Sequence, residues 1–194
     1  MLLLLSPTKF VFYIKVSMPK LNHAENPIQF YTATILEWQK LLKPTKYKQI
    51  IIDSFAYLVK EGRVKIYGFV IMDNHIHLIW QGTDMYSLKH TQLSFMKYTA
   101  QQIKFDLEKN HPKVLSRFYV EAKDRKFQFW ERNALAIDIM SHNVFVQKLN
   151  YIHFNPVRAN LCEQELEYEF SSAKHYQELE HPYTFLEPYD RAFW

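Results

Sequence analysis

One cysteine, three glycines and no apolar run of membrane length are what this 194-residue chain has little of, and each shortage excludes something. With Cys162 alone no intrachain disulfide can form, so a reducing compartment, the cytoplasm, is the simplest home. The thiol itself reads as a small packed hydrophobe. Three glycines beside 16% aromatic residues argue against a disordered or low-complexity chain, which is short of rings and rich in small polar residues. No stretch approaches the roughly 20 apolar residues that cross a bilayer, so a soluble protein with no membrane partner is expected. Charge of one sign is not in great excess either. A formal +4 is compatible with a polyanionic partner and equally with an ordinary protein.

What is present is enough for one real core: 48% hydrophobic residues, no internal repeat and no linker. Residues 1–17 carry Leu2 to Leu5 and Phe10 to Ile14, faintly like a signal peptide. No basic segment precedes them, Lys9 and Lys15 interrupt the apolar stretch, and no small-residue cleavage site follows. The expectation is a non-native or disordered extension over 1–17 with translation starting at Met18, a single domain over 18–180, and a C-terminal tail over 181–194.

Along the chain, Ile28 to Leu36 is rich in β-branched and aromatic residues and predicts a strand. Tyr47 to Lys60 has one apolar face at helical spacing and ends at Glu61-Gly62. Arg63 to Met72 and His75 to Gln81 predict two strands around an Asp73-Asn74 turn, a single continuous strand being the alternative. Ser87 to Lys109 predicts a long helix whose lysines, Lys97 and Lys104 among them, are either a solvated face or a row of phosphate contacts. Lys123 to Glu131 interleaves basic and aromatic residues, a pattern that suits single-stranded nucleic acid; Arg125, Lys126 and Trp130 are its candidate contacts, with Phe127 and Phe129 assigned to the core. Asn133 to Asp138 is a connection or short strand. Ser141 to Asn155 predicts a helix capped by Ser141 and ended by Pro156, and Tyr168 to Tyr176 another short one. The sum is α+β: an antiparallel, ferredoxin-like sheet with helices packed on one face, in a single domain.

The chemistry concentrates in two places. His75 and His77 stand two apart inside Val70 to Trp80, so in a strand they project to one face and can grip one metal ion. A bare H-x-H is most often two ordinary histidines. Tyr151 and Asn155, four apart on a helix, share one flank near its end. His153 falls on another flank as a structural or DNA-contact residue, and Arg158, just past the helix, is a candidate phosphate contact.

The stretch Val-Ile-Met-Asp-Asn-His-Ile-His-Leu-Ile-Trp over 70–80 resembles the H-U-H motif, U being hydrophobic, of the single-tyrosine HUH transposases. Tyr-Ile-His-Phe-Asn-Pro-Val-Arg-Ala-Asn-Leu over 151–161, with Ser171-Ser172 behind it, is similar to the corresponding motif of the REP-associated tyrosine transposases. The likeness runs from the first strand to Tyr176. It implies a ferredoxin-like core, His75 and His77 as metal ligands with Asn155 as the third, Tyr151 as a nucleophile that cleaves and rejoins single-stranded or hairpin DNA through a 5′-phosphotyrosine, and a monomer or homodimer. It also implies Mg2+ or Mn2+, although two imidazoles by themselves favour a transition metal. Two residues depart from the pattern: Asn160 stands where the family usually has glycine, and Asp73 where proline is common. A tyrosine with its ordinary pKa of about 10 is a weak nucleophile, so the reaction needs an electrophile already polarised for attack. Two other readings stay open: a metal-dependent hydrolase built on the H-x-H pair, and a non-catalytic nucleic-acid-binding protein.

Overall fold

The structure is a computed structural model that describes residues 26–189. The expected 1–17 extension and the Met18 start lie outside the described residues. Four strands, β1 (Ile28–Thr34), β2 (Val64–Ile71), β3 (His75–Gly82) and β6 (Leu135–Asp138), form one antiparallel sheet in the order β2-β3-β1-β6. With α1 (Thr45–Lys60) between β1 and β2, and α2 (Leu88–Asn110) between β3 and the later strands, this is the ferredoxin-like arrangement, β6 taking the place of its fourth strand. A short helix α3 (Pro112–Leu115) and a separate hairpin of β4 (Tyr119–Ala122) and β5 (Arg125–Phe127) are inserted between α2 and β6.

The sheet is buried on both faces. Side chains alternate across each strand, so Tyr31 and Ala33 of β1, with Ile35 just past it, join Ile76, Leu78 and Trp80 of β3 in a core with α1 and α2. Phe30 and Ile79 point the other way, against Phe145, Leu149 and Ile152 of α4 (His142–His153). The expectation of helices on one face is corrected here: α4 covers the second face, because its own apolar stripe must also be buried. Gly68 of β2 allows the close approach, since a Cβ there would lie 2.7 Å from Leu149 Cδ1. Ser141 caps α4 as its sequence predicts, its Oγ accepting from Val144 N at 3.3 Å. Pro156, lacking an N–H, breaks the α4 ladder and sits in the first turn of one more short helix, α5 (Asn155–Arg158), which the left-handed Asn160 (φ 53°) follows. Asn160 therefore occupies the backbone conformation for which glycine is usual, and asparagine tolerates it.

No helix spans Tyr168 to Tyr176 beyond a single 3-10 turn that begins at His175, a second correction. The segment runs alongside β2 instead: Ile71 N donates to Phe170 O and Ser172 N to Phe69 O. Ser172 Oγ also accepts from Phe69 N at 2.9 Å and bonds His153 Nε2 at 2.8 Å. Phe170 and Ser172 thus satisfy the open edge of the sheet, which outweighs any helical tendency. Residues 181–189 pack down as well, with Tyr183 and Leu186 in the core and Glu187 N donating to Ile66 O. No helix among the described residues is long and apolar enough to cross a membrane.

Candidate active site

His75 opens β3 and His77 follows on the same face, ring centroids 4.7 Å apart. The turn that delivers them is held from several sides. Asp73 O accepts from Leu42 N and Asn74 O from Ile35 N, both at 2.8 Å, while the Asp73 carboxylate pairs with the buried Lys48 ammonium, also at 2.8 Å. Asp73 is thus fixed by an ion pair.

Each histidine has its δ nitrogen engaged. Asn74 Oδ1 lies 2.8 Å from His75 Nδ1, and because an amide oxygen only accepts, the ring proton sits on Nδ1. Thr32 Oγ1, directly across the β1–β3 ladder, lies 2.7 Å from His77 Nδ1. Holding the δ nitrogens leaves the ε nitrogens for an ion, the way ligating histidines are usually oriented. Burial, then the neighbouring His75 ring and the Lys148 charge, push His77 down to about 3. Burial lowers His75 as well, opposed by a side-chain hydrogen bond in which Asn155 accepts. Both rings are therefore neutral near pH 7, the form that binds metal. Asn155 is within hydrogen-bond reach of His75 and donates weakly to Tyr151 O at 3.4 Å. Two neutral imidazoles and an amide oxygen fit a divalent ion with open positions.

Tyr151 reaches this pair from α4. Its ring lies 5.2 Å from that of His77 and 6.0 Å from Phe30, which stacks on His77. The side chain is 38% exposed, open to a substrate. Two cations flank the ring: Arg158 at 5.1 Å and Lys148 at 6.0 Å. Lys148 and Thr32 are residues that sequence reasoning missed. The first is legible as the i−3 helical neighbour of Tyr151; the second needs the strand register. His153 is buried at 7% exposure on Ser172 and is structural.

The remaining expected nucleic-acid contacts separate. Lys97, Lys104, Arg125 and Trp130 line one groove of about 890 Å³ between α2 and the β5 region, joined by Lys89 and Arg132. Lys126 does not line it. Trp130 is buried, its Nε1 donating to Thr99 Oγ1 at 3.1 Å, so it forms the groove floor and offers no free ring for stacking. Lys104 pairs with Glu108, and Arg125 with Asp124. The groove includes Tyr31, whose side chain faces α2, so it opens on the opposite side of the sheet from His77.

The fold of this chain is shared with a solved transposase structure. It aligns with a REP-associated tyrosine transposase bound to a REP hairpin over 92% of this chain and 91% of that one, at a TM-score of 0.57 and 16% identity. A candidate transposase of Deinococcus radiodurans aligns over 70% of this chain and 95% of that one, at 0.42 and 10% identity. No family model and no curated protein matches the sequence.

Proposed function

We propose that the protein cleaves and rejoins single-stranded DNA through Tyr151, as a single-tyrosine HUH transposase acting on hairpin-forming DNA. The observation that carries this reading is the contact between Tyr151 and His77, 5.2 Å between ring centroids on one open face within a single chain. That the similar transposase is bound to a REP hairpin supports a hairpin substrate. His75, His77 and Asn155 would hold the divalent ion, Mg2+ or Mn2+, which when bound polarises a non-bridging phosphate oxygen.

The chain's own groups do the rest. Tyr151 Oη bonds to phosphorus as the P–O3′ bond breaks in line; the phenolic proton is lost to water, and the departing oxygen takes one up as a 3′-hydroxyl. The 5′-phosphate stays on Tyr151. Attack by another strand's 3′-hydroxyl reverses the step, freeing the tyrosine and restoring a phosphodiester without ATP. Lys148 and Arg158 meet the phosphate charge from two sides of the ring. Because Tyr151 stands beside its own histidines, one chain holds a complete set of groups, and a cytoplasmic monomer or homodimer both accommodate the reading.

A hydrolase built on the H-x-H pair would recruit further histidines and carboxylates, and the described residues hold no group of three or more His, Cys, Asp or Glu placed to bind an ion. The experiment is incubation with single-stranded hairpin DNA and Mg2+ or Mn2+. A denaturation-resistant protein–DNA adduct is expected, absent in Tyr151→Phe and reduced at least about a hundredfold in His77→Ala, as removal of a dominant electrostatic contribution does. Hydrolysis without an adduct, or binding alone, contradicts the proposal.

A further inference from the structure

Trp38 is placed unlike the other described tryptophans. Trp80 is fully buried and Trp130 nearly so, whereas Trp38 is 61% exposed. It also stands on a strained backbone: Glu37 and Trp38 are consecutive non-glycine residues with left-handed φ, 54° and 57°. Such a pair costs energy and persists only where its surroundings over-determine it. They do so here. Glu131 Oε1 accepts from Glu37 N at 2.9 Å, Ile35 O from Trp38 N at 2.9 Å, and Leu36 N donates to Phe129 O at 2.7 Å. The Trp38 carbonyl accepts from Asn74 Nδ2 at 3.3 Å, which fastens the turn to the loop that carries His75.

The result is an indole held edge-on to His75, ring centroids 5.7 Å apart. Asn74 and His75 also line an open cleft of about 330 Å³ together with Lys40, Asn155 and Arg158. Two cations and polar groups around this cleft, with the exposed Trp38 ring outside its lining but against His75, are the parts that hold one nucleotide of a single strand: cations take the backbone and the ring takes the base. Burial of Trp38 in the core would have saved more apolar area. Its strained, exposed setting next to the site is the feature that needs a ligand.

We propose that Trp38 is the stacking platform for a nucleobase beside the scissile phosphate, with Lys40 and Arg158 on the adjoining backbone. This rests on the DNA-cleavage reading for its reaction but not for its test, which is read by binding. The probes are a labelled mixed-sequence single-stranded 12-mer and an abasic 12-mer of the same backbone. The protein binds the base-bearing strand about tenfold or more tighter. Trp38→Ala removes most of that preference and leaves the abasic affinity within about twofold, while Trp38→Phe restores much of it. Lys40→Gln weakens both strands alike and lowers the salt dependence. Both Trp38 variants keep the far-UV circular dichroism of the parent if the substituted ring is a surface group. Retention of the full base preference in folded Trp38→Ala overturns the proposal, as does loss of affinity for both strands equally. An adduct at Tyr151 together with an unchanged base preference sinks this inference alone; base-dependent binding through Trp38 without any adduct sinks the cleavage reading alone.

Discussion

Asp73 carries a negative charge into the turn before His75, and the structure answers it with Lys48, whose side chain is 6% exposed against 15% for Asp73. A buried pair contributes little compared with an apolar replacement of both partners, but removal of one strands the other. Lys48→Met is therefore expected to cost roughly 3–5 kcal/mol and Lys48→Met with Asp73→Asn distinctly less, measured by urea unfolding; equal costs would contradict the coupling. His153 gives a pH prediction. Burial, then the His175 charge, push it down to about 3, while the unfolded chain titrates near 6.5. Because the folded value is depressed, the stability tied to the neutral ring is complete above pH 6.5 and is lost as pH falls from there toward 3. At pH 5 the loss from this one residue is about 2 kcal/mol. His153→Gln, which keeps a donor for Ser172, is expected to flatten the stability profile between pH 7 and 5, and an unchanged profile would mean that His153 binds its proton alike in the folded and unfolded chain.

At the scale of elements, α4 matters most, because it carries Tyr151, Lys148 and the approach to Asn155. Its seat on the sheet depends on Gly68, where an added methyl would sit 2.7 Å from Leu149 Cδ1 and 3.2 Å from Ile152 Cδ1. Gly68→Ala should cost about 1–3 kcal/mol by overpacking and reduce adduct formation, with Leu149→Ala in the same chain recovering part of the activity. If Gly68→Ala lowers stability but leaves the adduct rate intact, α4 does not set the Tyr151 position. The periodic elements were legible in the sequence: β1, α1, the β2–β3 pair, α2 and α4 begin and end within a few residues of the predicted bounds. The β4–β5 hairpin was not, since its strands are short and mostly exposed and show no alternation to read. The Ser171-Ser172 segment misled because its conformation is set by the sheet edge it covers and not by its own spacing.

Over the whole molecule, +4 is too small a charge to draw DNA by itself, and the cations act by where they gather. Lys97, Lys104 and Arg125 share one groove, so replacing all three with glutamine should shift the slope of log K against log salt by about 2 to 3 units, less to the extent that Glu108 and Asp124 already occupy two of them. The pairing of His75 with His77 was legible from strand alternation, and that of Tyr151 with Asn155 from helical spacing. Their convergence was not, because it depends on which face of the sheet α4 covers, as does the exclusion of Trp130 from any stacking role. The central claim is a covalent bond from Tyr151 to DNA. Trypsin cleavage after Lys148 and Arg158 releases Leu149 to Arg158, in which Tyr151 is the sole hydroxyl and no thiol is present. After incubation with hairpin DNA and a divalent ion, then nuclease digestion, mass spectrometry of this peptide is expected to show a 5′-linked nucleotide on Tyr151. An unmodified peptide accompanied by cut DNA would contradict the account.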